Sequence, residues 1–219
     1  MCSSDLAMAA CSITLRNVTA ANFTSSQAYP IFNTAETAAT LSFQVRHPNG
    51  QAACNYFVTF SRGGSATYNR RLATGANQLQ YQLYPTSAKA TVLKAIPDAV
   101  AGEVITGTFA STALVTHDKS YYIAIPAQQV VVPGTYTDSV VVRLYEGTLA
   151  SYTQRDSVTL SMKAQVVATT QMCVACTNSF DNTMHSHELN FGALETGESK
   201  SATVRVRTNE GYALYLQSG

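Results

Sequence analysis

The chain has 219 residues, of which 46% are hydrophobic and only 12% are charged, with a formal net charge of +1. This length and apolar content allow the chain to bury a sizeable core. The nearly balanced charge argues against nucleic acid and anionic lipid as partners, because no basic field is present to attract them. Trp is absent, and Thr, Val, Ser, Ala and Tyr dominate, which is typical of strands with polar outer faces.

The first ten residues carry signals of processing. Residues 2–6 (CSSDL) match a translated sequencing-adapter oligonucleotide, and residues 7–9 (AMA) fit the A-x-A cleavage site of a signal peptide. We therefore expect residues 1–10 to be an adapter scar and a signal-peptide remnant, and the mature, exported chain to begin near Ala10 or Cys11. The alternative is a lipoprotein signal in which Cys11 is acylated.

Short β patterns follow one another along the chain. In order they are SITLRNV, ATLSFQVRH, CNYFVTFSRG, NQLQYQLYP, EVITGTFAS, SYYIAIPAQQVVV, GTYTDSVVVRLYEG and SVTLSMKAQVVA. The turn sequences PNG, RGG, TGAN, VPG and EG separate them. Alternation of apolar and polar residues between such turns predicts antiparallel strands. The sequence therefore predicts an all-β protein built as an immunoglobulin-like antiparallel β-sandwich.

The two ends of the chain are related to each other. ATLSFQVRHPNG and YFVTFSRG near the start are echoed by SATVRVRTNEG and YALYLQSG at the end, and AANF before the first copy corresponds to ELNFGAL before the second. We expect two related domains with their boundary in the polar segment ATTQMCVACTN. Because the second copy covers only the first strands of the fold, we expect Gly219 to be a truncation point.

Several segments together resemble the spore coat protein U-like domain family. They are QLQYQLYP, GEVITGTF, YYIAIPAQQVVVPGTYTDSVVVRLY and, in the second copy, LNFGALETGESKSATVRVRTNEGY. The resemblance covers most of residues 11–219. One departure stands out, since the family's usual Trp-Gly-Asp-Gly segment is replaced by PTSAKATVLKAIPDAVAGE.

The resemblance implies a function in archaic chaperone–usher (Csu-type) pili, whose secreted subunits attach bacteria to surfaces and support biofilms. In such pilins the sandwich lacks its last strand. A periplasmic pilus chaperone fills the gap first, and at the outer-membrane usher the N-terminal extension of the next subunit replaces it by β-strand addition.

Residues 152–168 continue the chain past the motif with which an ordinary family domain ends. Their apolar members alternate with polar residues and are Val158, Leu160, Met162, Ala164 and Val166. This alternation predicts a final strand supplied in cis. We therefore expect residues 11–168 to form a complete, self-complemented first domain and residues 169–219 to be the N-terminal part of a second, pilin-like domain.

A complete first domain favours the position at the tip of the pilus. We expect no donor extension before the Cys11 strand, and therefore a subunit that accepts a strand from the next subunit and donates none. The sequence thus predicts an extracellular tip adhesin, exported through the periplasm, that binds an abiotic or host surface. The alternative is a structural shaft pilin, or a spore-coat-type structural protein, assembled by donor-strand exchange.

The replaced segment supplies the first candidates for adhesion, because loops lie at the surface and usually carry function. Its apolar residues are Val92, Leu93, Ile96, Pro97 and Val100. Further candidates are Tyr29, Ile31 and Phe32 in QAYPIF, and residues 113–115. Exposed apolar side chains would bind a surface by removing area from water. For the replaced segment the alternative is a short helix or strand packed on the core. For the candidates in QAYPIF and residues 113–115, packing on the core is the favoured interpretation.

Four cysteines remain once Cys2 is set aside, an even number that suits an oxidising compartment. Cys11 and Cys54 lie in strand-like segments and are predicted to form a disulfide. In the chain-entropy model this bond would stabilise the fold by roughly 3 to 4 kcal/mol. The pairing of Cys173 and Cys176 stays open between a local bridge and a cysteine beyond Gly219. A zinc site with His185 and His187 is a weaker alternative.

No motif for catalysis is present, since G-x-S-x-G, a Walker loop and H-E-x-x-H are all missing. His47 and His117 are expected to lie solvated in polar turns. Asp138 is expected to make structural hydrogen bonds rather than to act as an acid. We therefore expect a protein that is not an enzyme and needs neither cofactor nor metal.

Overall fold

In a computed structural model the chain forms a β-sandwich; the structure describes residues 11–110, 112–174, 180, 197 and 199–215. In chain order its strands are β1 (Thr14–Arg16), β2 (Asn22–Phe23), β3 (Thr37–His47), β4 (Cys54–Phe60), β5 (Arg71–Thr74), β6 (Asn77–Gln80), β7 (Gln82–Tyr84), β8 (Ile105–Phe109), β9 (Val115–Ile125), β10 (Gly134–Thr148), β11 (Ser151–Val166), β12 (Thr170–Val174) and β13 (Val204–Thr208). A short 3-10 helix spans Ser25–Gln27.

Two sheets face each other across the core. The first has the order β1-β3-β9-β7, and the second has the order β2-β11-β10-β4-β8, with the β5–β6 hairpin attached to β10. Neighbouring strands are antiparallel except β2, which runs parallel to β11. The predicted all-β, immunoglobulin-like sandwich is confirmed. No helix in the described part of the chain is long and apolar enough to cross a membrane.

The main core lies between the sheets and is rich in aromatic rings. Phe43 and Tyr121 of the first sheet pack against Phe60 of the second, with centroid distances of 6.4 Å from Phe43 and 4.9 Å from Tyr121 to Phe60. All three side chains are buried. The alternation read from the sequence explains this arrangement, because every second residue of a strand points to the same face.

Strand β11 closes the second sheet at the position predicted for residues 152–168. It pairs with β10 from Ser151 opposite Thr148 to Val166 opposite Gly134. Its inward-facing residues are buried; they are Leu160, Met162, Ala164 and Val166. Its other edge is covered in part by β2. The prediction of a strand here is confirmed, although Val158 is only half-buried.

The end of the chain repeats the pairing of its beginning. Leu15 of β1 lies opposite Val45 of β3, and Met172 of β12 lies opposite Val206 of β13. Val45 and Val206 occupy equivalent positions in the repeated sequences VRHPNG and VRTNEG. The repeat is therefore also a repeat of strand pairing. Most residues between β12 and β13 lie outside the described part of the chain, and so do residues 1–10.

A disulfide links the N-terminal segment to the start of β4. Cys11 and Cys54 are bonded at a sequence separation of 43, as predicted. A cross-link of this span stabilises a fold by about 4 kcal/mol in the chain-entropy model. It ties the N-terminal segment, which enters the first sheet through β1, to the second sheet.

The contribution of β11 to the core can be measured with two neighbouring residues. Met162 is fully buried, whereas Lys163 points to solvent. Met162→Ala should lower the free energy of unfolding by about 2 to 5 kcal/mol, because it leaves a cavity. Lys163→Ala should change it by no more than about 0.5 kcal/mol. Urea denaturation of the oxidised protein measures both, and a small change for Met162→Ala would contradict a core role for β11.

Candidate functional site

The segment that replaces the usual family motif folds over the outer face of the second sheet. Residues 94–104 are here called the covering segment. Its two ends are held together by an ion pair between Lys94 and Glu103, with an N···O distance of 2.7 Å, and by a hydrogen bond from the backbone N–H of Lys94 to the carbonyl of Glu103. Side chains on its inner side, including Ile96 and Val104, pack on Phe57. The segment is thus a folded loop with its own small apolar cluster.

An aromatic group forms the base of that cluster. Phe57 and Tyr145 stack with centroids 5.0 Å apart, and Tyr152 contacts both edge-on. Phe57 and Tyr145 are buried, whereas Tyr152 is 43% exposed. Sequence reasoning missed Tyr152. The available signal was an aromatic residue directly after the turn EGTLAS, where a polar residue is expected on a solvated face.

The predicted adhesive residues of this region divide into three groups. Leu93 is fully buried in the main core, and its backbone N–H donates to the carbonyl of Leu83 at 2.9 Å. This corrects the expectation of an exposed Leu93 side chain. Val92 and Ile96 are half-buried, and only Pro97 and Val100 are exposed. Leu93 therefore packs in the core and does not contribute to adhesion, while Val100, 60% exposed, is accessible to a partner.

The candidates in QAYPIF lie at the other end of the sandwich. Tyr29 and Ile31 are buried, in agreement with the core packing favoured for them, so neither side chain is available for adhesion. The hydroxyl of Tyr29 donates to the carbonyl of Pro126 at 2.6 Å, so this aromatic ring has a structural role. Phe32 is half-buried, and the guanidinium of Arg207 lies 4.5 Å from its ring centroid. Phe32 therefore lies against the second copy.

The strand register defines a distal end, opposite to the end where β11 leads into β12. The β10–β11 turn, the start of β4 and the end of β8 meet there, since Thr148 lies opposite Ser151 and Cys54 lies opposite Phe109. Three exposed apolar side chains belong to this end or to the loops that reach it. They are Val100, Leu114 and Tyr152, with exposed fractions of 60%, 55% and 43%.

A cleft of about 420 Å³ opens beside these residues. The tip of the covering segment (Ala101 and Gly102) forms one wall and the turn around Leu149 forms another, with Phe57 and Val104 below. The distal end can therefore bind by contact and desolvation. Within the described residues, nothing here resembles a catalytic arrangement of nucleophile, base and orienting group.

The histidines are part of the fold, which corrects the expectation of solvated turns. His47 ends β3 and is fully buried, with its ring nitrogens 3.2 and 2.9 Å from the carbonyl oxygens of Ala113 and Ala52. It thereby joins two distal loops. His117 lies within β9 and contacts the hydroxyl of Tyr56 through Nδ1 at 2.9 Å. Burial, followed by the positive charge of Lys119, lowers the pKa of His117.

Asp138 makes the structural hydrogen bonds that were predicted for it. Its carboxylate accepts from the hydroxyl of Tyr81 at 2.6 Å and from the backbone N–H of Gly64 at 2.8 Å. Burial first, and then the nearby carboxylate of Asp138, raise the pKa of Tyr81, which stays protonated. Asp138 therefore fastens the loop after β4 to the middle of the second sheet.

Arg70, which the sequence did not single out, is the largest fully buried side chain among the described residues. Its guanidinium donates to the carbonyls of Ser61, Phe60 and Leu93 at 2.9, 3.1 and 2.6 Å. Burial lowers its pKa to about 10, so the group remains charged at neutral pH. Arg70 links the end of β4 to the start of the covering segment, which is a positioning role.

The described cysteines offer no metal site. The one grouping of possible ligands in the described ranges is Cys11, His47 and Cys54, and both of its cysteines are consumed by the disulfide. Cys173 is buried and disulfide-bonded. Its possible partner Cys176 lies outside the described residues, as do both histidines of the weaker zinc alternative, His185 and His187.

The fold and the sequence motifs agree with a known family. The family model of the Spore Coat Protein U domain matches residues 1–143, well over half of the chain. The chain belongs to the Spore Coat Protein U domain family. No curated protein matches it. The family match ends within β10, so β11 and the second copy lie beyond it.

Some solved structures are distantly similar to this Spore Coat Protein U domain protein. CfaE, the adhesive subunit of CFA/I fimbria of enterotoxigenic Escherichia coli, is 11% identical with a TM-score of 0.45, covering 73% of this chain and 49% of CfaE. The chain thus spans about half the length of CfaE.

The CssB subunit of E. coli colonization factor CS6, complemented with a donor strand from CssA, is 10% identical with a TM-score of 0.32, covering 71% of this chain and 97% of CssB. Salmonella SafD adhesin is 14% identical with a TM-score of 0.32, covering 70% and 95%. Likenesses at this level carry no argument about function.

A buried amide joins the second copy to the first. Asn209, directly after β13, donates from Nδ2 to the carbonyls of Val131 and Val167, both at 3.1 Å. Its Oδ1 accepts from the N–H of Thr169 at 2.8 Å. The side chain therefore satisfies its polar atoms on the linker and on a loop of the first sandwich.

The different environments of Leu93 and Val100 predict opposite results for the same substitution. Leu93→Ala should lower the free energy of unfolding by about 2 to 5 kcal/mol, because the side chain fills the core. Val100→Ala should change it by no more than about 0.5 kcal/mol, because Val100 is exposed. Chemical denaturation of both variants provides the measurement. A large loss for Val100→Ala would show that the covering segment packs differently.

The Asn209 bonds predict a local effect at the linker. Asn209→Ala removes the acceptor of the Thr169 N–H, so this amide should exchange with solvent at least about tenfold faster. Glu210→Ala changes an exposed neighbour and should leave the exchange rate unchanged. Hydrogen exchange followed by NMR distinguishes the two, and equal rates in both variants would contradict the role given to Asn209.

Proposed function

We propose that this protein is the tip adhesin of an archaic chaperone–usher pilus, which attaches bacteria to surfaces and supports biofilm formation. The observation that carries the proposal is the position of β11. It occupies the edge of β10 that a strand from another subunit would otherwise fill, and it pairs with β10 along its whole length. A first domain sealed in this way needs no donor strand.

The second copy supplies the means of attachment to the pilus. Its first strand pair, β12 with β13, matches the β1–β3 pair of the first copy. A second pilin-like domain that starts in this way would be filled first by a periplasmic chaperone and then, at the outer-membrane usher, by the extension of the next subunit. The protein would therefore be exported through the periplasm and held at the outer end of the pilus.

Adhesion would reside at the distal end. The exposed side chains of Val100, Leu114 and Tyr152 would bind an abiotic or host surface by removing apolar area from water, at roughly 25 cal/mol per Å². Such binding requires no specific receptor. The proposal keeps Val100 and, from residues 113–115, Leu114 among the residues predicted by sequence. It omits the buried Leu93 and adds Tyr152.

Labelling of assembled pili tests the position of the subunit. An antibody against the first domain, visualised by electron microscopy, should mark each pilus at its free end only. Marks at intervals along the fibre would contradict the tip assignment and favour a structural shaft pilin. Fibres without any mark, from cells that export the protein, would contradict both positions.

The adhesive role is tested with residues of equal exposure at opposite ends of the sandwich. Val100 and Val130 are both 60% exposed, but Val130 lies beside Phe32 and Arg207, near the second copy. The double variant Val100→Ser, Leu114→Ser should reduce attachment of piliated cells to polystyrene several-fold, whereas Val130→Ser should not. Equal attachment of both strains at equal pilus number would refute the proposed surface.

A further inference from the structure

A large cavity in the described part of the chain lies away from the distal end. It has a volume of about 910 Å³ and opens on the outer face of the second sheet. Its floor is made by Thr137 and Ser139 of β10 and by Ser161 of β11. These side chains point outward, because their neighbours Val140 and Leu160 point into the core. The volume lies within the range of about 300 to 1,000 Å³ that is typical of ligand sites.

The cavity exists because the second sheet has a gap beside β10. Strand β4 pairs with β10 only from Val142 to Glu146, and β5 meets it again at Thr137. Between these points residues 61–70 leave the sheet and form one wall, while the β5–β6 hairpin forms the other. The gap covers four residues of β10 (138–141), or roughly 13 Å, which is too short for a pilin donor strand.

The lining has the chemistry of a site for a hydroxyl-rich ligand. The polar groups along the walls are hydroxyls, amides and one guanidinium, carried by Ser65, Thr67, Asn69, Arg71 and Gln78. No aromatic ring and no aliphatic side chain larger than alanine lines the cavity. Mixed donors and acceptors on a rigid floor match the many hydroxyls of a sugar.

Two charged side chains line the cavity, Asp138 and Arg71, and the positive charge of Arg71 is the one directed to a ligand. The carboxylate of Asp138 is already engaged by Tyr81, Gly64 and the N–H of Ser139. Arg71 is exposed and contacts Gln78 across the hairpin. Its guanidinium can donate to sugar hydroxyls or pair with the carboxylate of an acidic sugar.

The wall of the cavity is held in place before any ligand binds. Gly63 approaches Asp138 so closely that a Cβ at this position would lie 2.0 Å from Oδ2, and its φ of +68° also favours glycine. The two ends of the wall formed by residues 61–70 are joined by a hydrogen bond, because Arg70 donates to the carbonyl of Ser61 at 2.9 Å. A preformed site of this kind binds with a smaller loss of conformational entropy.

We propose that this cavity is a saccharide-binding site on the flank of the first domain. It would give the protein a receptor of defined chemistry in addition to the apolar distal end. The site does not depend on the position of the subunit in a pilus, so its test is independent of the proposed function.

The test uses the full chain on an array of immobilised oligosaccharides, with one arm of neutral sugars and one arm of sugars that bear a carboxylate. The strongest binder is then measured in solution by isothermal titration calorimetry. Ser139→Leu places an apolar side chain on the cavity floor and should weaken binding at least about tenfold. Thr159→Leu changes an exposed outward residue of the same sheet outside the cavity and should leave the affinity within about twofold.

Two further variants complete the design. Gln78→Ala alters the exposed hairpin without touching the core and should also weaken binding, which keeps the test valid if Ser139→Leu fails to fold. Val100→Ser, at the distal end, should leave saccharide binding unchanged. Absence of binding in both arms, or equal weakening by Ser139→Leu and Thr159→Leu, would overturn the proposal. Loss of binding in Val100→Ser alone would overturn it as well.

Discussion

The fold depends on the pairing of β10 with β11. Strand β10 lies in the middle of the second sheet, with β4 and β5 on one side and β11 on the other. Without β11, an edge of β10 and the apolar interior behind it would be open to water or to a strand from another chain. The buried side chains of β11 close that interior, and β2 in turn covers part of the outer edge of β11.

A sheet sealed in this way carries two different surfaces on its outer face. Toward the distal end the covering segment lies over Phe57 and Tyr145 and leaves Val100 exposed. Toward the other end the same face bears Thr137, Ser139 and Ser161 and forms the floor of a polar cavity. Apolar contact and hydrogen bonding are therefore separated on one rigid scaffold, and each can be altered without the other.

Arg70 and Asp138 explain why both surfaces are well defined. Arg70 donates to carbonyls at the end of β4 and at Leu93, which fixes the entry to the covering segment. Asp138 binds the backbone of Gly64 and so fixes the wall of the cavity. Both are charged side chains directed into the protein, where burial without partners would be strongly unfavourable. Their hydrogen bonds compensate that penalty and hold the loop between β4 and β5 in one conformation.

The sequence by itself determined the class of fold, the disulfide between Cys11 and Cys54, the repeat and the strand at residues 152–168. Those features follow from alternation, spacing and turn residues, which are local properties of the chain. Whether each apolar residue outside the strands is buried or exposed was decided only by the tertiary structure. Leu93, Tyr29 and Ile31 are buried while Val100 is exposed, because burial depends on which distant surface a loop meets. The polar cavity likewise arises where β4 and β5 part beside β10, a gap between segments far apart in sequence that no local pattern records.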